Sequence, residues 1–148
     1  EALDLGIAGN ISTDFGMFNV RWMGTKYLTF ESEETYGSGT IFDAAGTLGF
    51  PEWRMNAQLN WTWNNWFANL SWDHIGSSDS RASDDSYSSW EIWNGSVGYS
   101  LGQWGQITVG ANNLTDKDPL LNDFGTEIDE YLYPKVGRVL FAEYTIEF

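Results

Sequence analysis

The only histidine, His74, follows Ser71 and precedes Ser77, and a serine activated by an imidazole with an acid behind it is the arrangement that acyl-transfer hydrolases use. Nothing around it completes such a site. The chain has no Gly-x-Ser-x-Gly elbow, no His-Glu-x-x-His pair and no phosphate loop. Glu33 and Glu34 fall on a predicted loop with no neighbour that would split their pKa values into an acid and a base. His74 also lacks a cysteine or second imidazole as co-ligand, so it reads as a strand-end residue and not as a metal or catalytic group. No catalytic, cofactor-binding or metal-binding residue is assigned on these grounds.

Two other groupings could do chemistry. Asp79, Asp84 and Asp85 lie in one polar stretch, and Asp116, Asp118, Asp123, Glu127, Asp129 and Glu130 in another; oxygen ligands of this kind hold calcium. The spaced Asp-x-Asp-x-Asp-Gly loop is absent, and solvated loop surface accounts for both runs. The second grouping is aromatic. Nine Trp, seven Tyr and nine Phe exceed what a small soluble core needs, and Trp beside Asn and Asp is the composition of a soluble carbohydrate-binding β-sandwich. That reading is the first alternative. Sugar stacking needs only two or three exposed rings, however, and does not require the pattern that runs through the whole chain.

That pattern has period two. Leu3, Leu5, Ile7 and Ile11 alternate with Asp4, Ala8, Asn10 and Ser12 before a turn at Thr13-Asp14. A second strand is predicted from Phe15 to Glu31, with Phe18, Val20, Trp22, Leu28 and Phe30 on one face and Asn19, Arg21, Thr25 and Thr29 on the other; Lys26 interrupts the apolar side near its end. Trp53, Met55, Ala57, Leu59, Trp61 and Trp63 oppose Arg54, Asn56, Gln58, Asn60 and Thr62, a division that a helix would mix. Asn64-Asn65 is a two-residue turn signal, after which Trp66, Ala68, Leu70, Trp72 and His74 oppose Phe67, Asn69, Ser71 and Asp73. Trp90 to Leu101 and Gln106 to Leu114 follow, joined by Gly102-Gln103-Trp104-Gly105, and a last strand alternates from Leu140 to Phe148.

Seven strands are thus expected, with short turns at 13–14, 64–65 and 102–105 and long polar connections at about 32–51, 76–89 and 115–137. Strict alternation of short and long is the asymmetry of an outer-membrane barrel, whose periplasmic turns are short and extracellular loops long. The stretch from Ser77 to Ser86, low in complexity and in apolar content, is expected to be a mobile loop. Trp63, Trp66 and Trp104 beside short turns, with Trp53 and Trp90 at the other ends of their strands, occupy interfacial-girdle positions. A formal charge of −14 argues against nucleic acid, and no apolar run is long enough for a transmembrane helix.

Gly110-Ala-Asn-Asn-Leu-Thr-Asp-Lys-Asp-Pro119 resembles the G-x-N-N-L-x-D-K-x-P stretch near the C-terminus of TonB-dependent outer-membrane receptors, and the likeness runs through Tyr133-Pro134 and Gly137-Arg138 to Phe148. Thr115, where many relatives carry Phe, and Val139-Leu140, where aromatics are frequent, depart from it. The resemblance implies an all-β fold: an antiparallel meander of about seven transmembrane strands, the C-terminal portion of a barrel of about 22. Residues 1–148 would all belong to that barrel domain, with the plug and its TonB contact in an N-terminal portion outside this sequence. The family's activity is energised uptake of a scarce nutrient: a siderophore, a cobalamin or an oligosaccharide. The partners implied are the rest of the receptor, the lipid bilayer with its lipopolysaccharide, TonB, and the barrel-assembly machinery reading the strand that ends in Phe148. A small outer-membrane barrel acting as adhesin or enzyme is the second alternative.

Overall fold

A computed structural model of the chain describes residues 1–33, 35–81, 83–121 and 132–146. Its strands are β1 (Ala2–Thr13), β2 (Gly16–Tyr27), β3 (Glu31–Glu33), β4 (Ile41–Asp43), β5 (Trp53–Trp63), β6 (Trp66–Ile75), β7 (Ser78–Asp79), β8 (Ser86–Tyr87), β9 (Trp90–Ser100), β10 (Gln106–Asn112) and β11 (Val139–Thr145). Seven of them form one antiparallel meander in the order β1-β2-β5-β6-β9-β10-β11, while β3-β4 and β7-β8 are small ribbons within two of the long connections. A single 3-10 turn, Gly102–Trp104, links β9 to β10. β1 and β11 pair on one side only, so the sheet is open.

The register sorts the side chains into two chemistries. Across the sheet Ile7 faces Trp22, Ala57, Trp72 and Trp93 in turn, and Ile11 faces Phe18, Trp61, Ala68, Val97, Val109 and Ala142. Leu59 and Leu70 are directly paired on this same side. On the other side Asn10, Asn19, Asn60, Asn69 and Ser96 stand in one row, and Arg21, Gln58, Ser71 and Asn94 in the next. Trp53, Leu59, Leu70, Trp72, Val97 and Val109 stand on the apolar side and Asn56, Gln58, Asn60, Asn69, Ser71 and Thr108 on the polar one, as the period-two alternation requires.

The apolar face has no second layer over it among the described residues: Ile7 is 70% exposed, Ile11 55% and Leu140 76%. The accessible surface, 10176 Å² for a chain of 16.7 kDa, compares with roughly 7600 Å² for a compact soluble monomer of that mass. Something else must cover the difference, because soluble monomers rarely leave so large an apolar patch in water. A sandwich would supply that cover from its own second sheet.

Four details depart from the sequence reading. The first turn is Asp14-Phe15, one residue on, because Thr13 pairs with Gly16. β2 ends at Tyr27, not Glu31: the Tyr27 N–H bonds to the Glu52 carbonyl, and the next two, Leu28 and Thr29, turn back to the Glu1 carbonyl. Leu28 and Phe30 therefore leave the sheet, and Phe30 packs on Phe50 with ring centroids 4.5 Å apart. The 77–86 stretch carries the β7-β8 ribbon, with Ser78 only 4% exposed. β11 ends at Thr145, and Phe148 lies outside the described residues.

Glycine enters the polar face where a ring crosses it. Gly98 is paired with Phe67, and a Cβ at Gly98 would lie 2.2 Å from Phe67 Cζ and 2.9 Å from the Ile107 carbonyl oxygen. Gly98→Ala should therefore cost about 1–3 kcal/mol through overpacking, measured by denaturant titration, and Phe67→Ala in the same chain should recover part of the loss. An unchanged midpoint for Gly98→Ala would show that the ring moves away freely.

Candidate functional site

The polar face carries a chain of amides. Asn69 Nδ2 donates to Asn60 Oδ1 at 2.8 Å, Asn60 Nδ2 to Asn19 Oδ1 at 3.5 Å, and Asn19 Nδ2 to Asn10 Oδ1 at 2.8 Å. These residues are direct cross-strand partners, so strand pairing alone places each amide beside the next. Nearer the long loops Asn56 donates to Asp73 at 2.7 Å, Thr25 to Asp4 at 2.6 Å and Asn94 to Ser71 at 3.2 Å. Arg21 and Arg54, both exposed, add two cations to a lattice that already holds the Asp4 and Asp73 carboxylates.

At the loop end the polar face changes character. Ile75, Trp90 and Ile92 project on it and, with Tyr133 from the last long connection, form a buried cluster against which Leu120 and Leu132 pack. Trp90 is 2% exposed, lies edge-on to Tyr133 with centroids 5.3 Å apart, and donates its Nε1–H to the Asp118 carbonyl at 2.8 Å. It is not an outward girdle ring. The outward residues of β9 are Glu91, Trp93, Gly95, Val97 and Tyr99, and position 90 has the opposite parity. The signal was present in the sequence as a break: Ile75, Trp90 and Ile92 are apolar where the preceding or following residues of the same face, Ser71, Asp73 and Asn94, are polar. Beneath the cluster is a cavity of about 1060 Å³ between a wall that includes Arg54, Asn56, Ser71 and Asn94 and a returning loop that includes Leu132 and Val136. Residues from β2 to β11 line this one cavity, which makes the polar face the concave one.

Of the two serines that could pair with His74, Ser71 projects on the polar face and His74 on the apolar one, so the sheet separates them. Ser77 lines one pocket with His74 and Asp79, where His74 Nδ1 is buried without a hydrogen-bond partner. His74 stacks on Trp72 at 5.3 Å and stands opposite Met55 and Glu91, whose carboxylate accepts the Trp72 Nε1–H at 3.0 Å. With Lys26, placed 5.3 Å over the Trp53 ring, these charged and polar groups mark the loop-end rim of the apolar face. No group of acids, histidines or cysteines suited to a metal ion occurs among the described residues. Asp123, Glu127, Asp129 and Glu130 lie outside them. Trp22, Trp53, Trp61, Trp63, Trp66, Trp72 and Trp93 all stand on the apolar face, away from the amides with which a sugar platform would combine them.

The first two long connections are joined into one roof. Asp79 N–H donates to the Gly46 carbonyl at 2.7 Å, Leu48 N–H to the Asp79 carbonyl at 2.9 Å, and the Arg81 guanidinium lies 4.6 Å over the Phe42 ring. One carboxylate oxygen of Asp43 accepts the Phe30 N–H at 2.8 Å and the Ala45 N–H at 3.0 Å, and these two bonds, the Phe30 one foremost, hold its pKa below the ordinary carboxylate range. The sign follows from that direction. The stabilisation is complete above the unfolded carboxylate's pKa and disappears as pH falls through the lowered folded value. Acidification into that range should accelerate amide exchange at Phe30 and Ala45 beyond the intrinsic change. Asp43→Asn, which keeps an acceptor without a charge, should remove this pH dependence; a persistent one would assign it to another group.

Comparison with family models, with curated proteins and with solved structures finds no match, which leaves the use of this two-faced sheet to its own chemistry.

Proposed function

We propose that this chain is a wall segment of an outer-membrane β-barrel, and that the barrel is a TonB-dependent receptor importing a scarce nutrient. The observation that carries the barrel reading is the pair of unlike faces on one open sheet. One is apolar from β1 to β11 and uncovered; the other is an amide-lined concavity. Lipid covers the first and water the second when such a sheet is rolled into a membrane barrel. In hydrocarbon an open edge would leave unsatisfied N–H and C=O groups at several kcal/mol each, so β1 and β11 require neighbouring strands. The polar rim at Lys26, His74 and Glu91 then sits at the outer headgroup level, and the long connections with their ribbons face outside.

The receptor reading rests on the Asn112-Asn113-Leu114, Asp116-Lys117 and Gly137-Arg138 residues that resemble that family. In it the wall encloses, the loops recognise, and a plug moved through TonB opens the path. This chain contributes concave wall and three loops, with neutral amides as its commonest lining group. Adjacent partners are the remaining strands and plug of the same receptor, with lipopolysaccharide against the outer rim and the barrel-assembly machinery during insertion.

Replacing Leu59 or Leu70 by Arg should cost on the order of 2–4 kcal/mol in the assembled barrel if these residues lie at mid-membrane, whereas Asn60→Arg, on the other face, should cost little. Unfolding titrations in lipid measure both; equal penalties would refute the membrane reading. The receptor reading has its own test, in cells carrying the full-length protein. Nutrient uptake through it should stop when TonB is deleted while its surface level is unchanged, and uptake that continues would leave a passive barrel.

A further inference from the structure

We infer that the Asn113–Asp118 turn is a register clamp for the last strand. The need for one comes from the length of the connection. β10 and β11 are joined through residues 113–138, too far apart for a tight turn to set their pairing. Alternation does not set it either. A slip of two residues leaves Leu140, Ala142, Tyr144 and Ile146 on the apolar face, so hydrophobicity scores the slipped and native pairings alike.

The turn closes this gap immediately above the first ladder pair, Asn112 with Val139. Asn113 and Asp116 both adopt left-handed backbone, with φ of 53° and 54°, a conformation that Asn and Asp tolerate better than most side chains. Asn113 is 2% exposed: its Oδ1 accepts the Lys117 N–H at 2.8 Å and its Nδ2 donates to the Lys117 carbonyl at 2.9 Å. Its own N–H goes to Asn94 Oδ1 at 2.9 Å, and the Leu114 N–H goes to the Trp93 carbonyl at 2.7 Å, which fixes the turn to β9. So held, Asp116 Oδ1 accepts the Arg138 N–H at 2.8 Å, one residue before β11 begins. The Arg138 guanidinium also lies 3.8 Å from Asp116 Oδ2, but both side chains are about half exposed, and an exposed pair of that kind contributes little. The backbone bond is the clamp.

A second feature selects the same pairing. Gly110 faces Phe141, and a Cβ at Gly110 would lie 2.5 Å from Phe141 Cζ. A two-residue slip would move Phe141 off this glycine and onto Asn112 or Thr108, either of which carries a side chain. The clamp engages the strand start and the ring-on-glycine contact checks it two residues later. Neither depends on lipid, ligand or the identity of the barrel.

The test uses the absence of native cysteine. Val109→Cys is combined with Ala142→Cys to report the native pairing, and with Leu140→Cys or Tyr144→Cys to report the two slips; only directly opposed residues come within disulfide reach. Each pair is oxidised in the full chain as expressed. Asp116→Ala should raise the ratio of slipped to native cross-link at least threefold. Asp116→Asn and Arg138→Ala, which keep the acceptor and the N–H donor respectively, should leave the ratio at its parent value. An unchanged ratio in Asp116→Ala would overturn the clamp. So would slippage in Asp116→Asn or Arg138→Ala, which would transfer the effect to the ion pair. If Asp116→Ala yields no folded chain, Arg138→Pro, which removes the same N–H donor, decides: a ratio raised at least threefold supports the clamp, and a parental ratio overturns it.

Discussion

Each strand of the sheet satisfies its backbone only through its neighbours, and from that constraint the rest of the molecule follows. Seven strands pair in sequence order, so every side chain is assigned to one of two faces by parity alone. There is no freedom to bury an apolar residue by rotating it, as a helix could. A Leu at position 59 and an Asn at position 60 must point to opposite environments, and the sequence supplies each environment with matching chemistry for ten residues at a stretch in β5 and β6. Pairing stops at β1 and β11, each of which has a neighbour on one side only.

Where parity decides, the sequence could be read. β5 and β6 are legible almost residue by residue because Trp and Leu alternate with Asn, Gln and Ser without a gap, and the Asn64-Asn65 turn between them is held with Asn64 in left-handed backbone. Where parity competes with a local bond, reading failed. Leu28 and Phe30 keep perfect alternation with Phe18, Val20 and Trp22, yet the chain leaves the sheet there because Asp43 and the Glu1 carbonyl offer its N–H groups other acceptors. No period in the sequence announces a bond between positions 30 and 43. Trp90 failed for the opposite reason: abundance of Trp suggested a girdle, whereas its even position commits it to the concave side, where Tyr133 meets it. The β7-β8 ribbon, built of Ser and Asp, had no apolar signal to give; its order comes from bonds to Gly46 and Leu48 in another loop.

The residues that looked most like chemistry turn out to be geometry. Asn113 and Asp116 belong to the most specific motif in the chain, and their side chains bond backbone groups a few residues or one strand away. That explains a tight spacing without any ligand. Conversely, the groups with hydrogen-bonding capacity turned toward the cavity are unremarkable in sequence: Thr25, Asn56, Ser71 and Asn94 are simply the polar half of four strands. Such groups accumulate across strands, one or two from each, which is why a motif search cannot see the wall they form.

The two ends of the concave face are aromatic while its middle is amide, and the reason differs at each end. At the short-turn end Phe67 crosses onto Gly98 of the neighbouring strand, so its area is covered within the sheet itself, as that of Phe141 is on Gly110 one row nearer the loops. At the loop end no glycine is offered to Trp90; the cover comes from Tyr133, Leu120 and Leu132, brought back over the wall by the connection that precedes β11. Burial of a Trp and a Tyr is worth several kcal/mol in apolar area, enough to hold that return segment against the wall although most of the loop surface is polar. At the cavity mouth Trp90 and Ile92 of β9 pack against Tyr133, so its shape follows from the packing of these side chains.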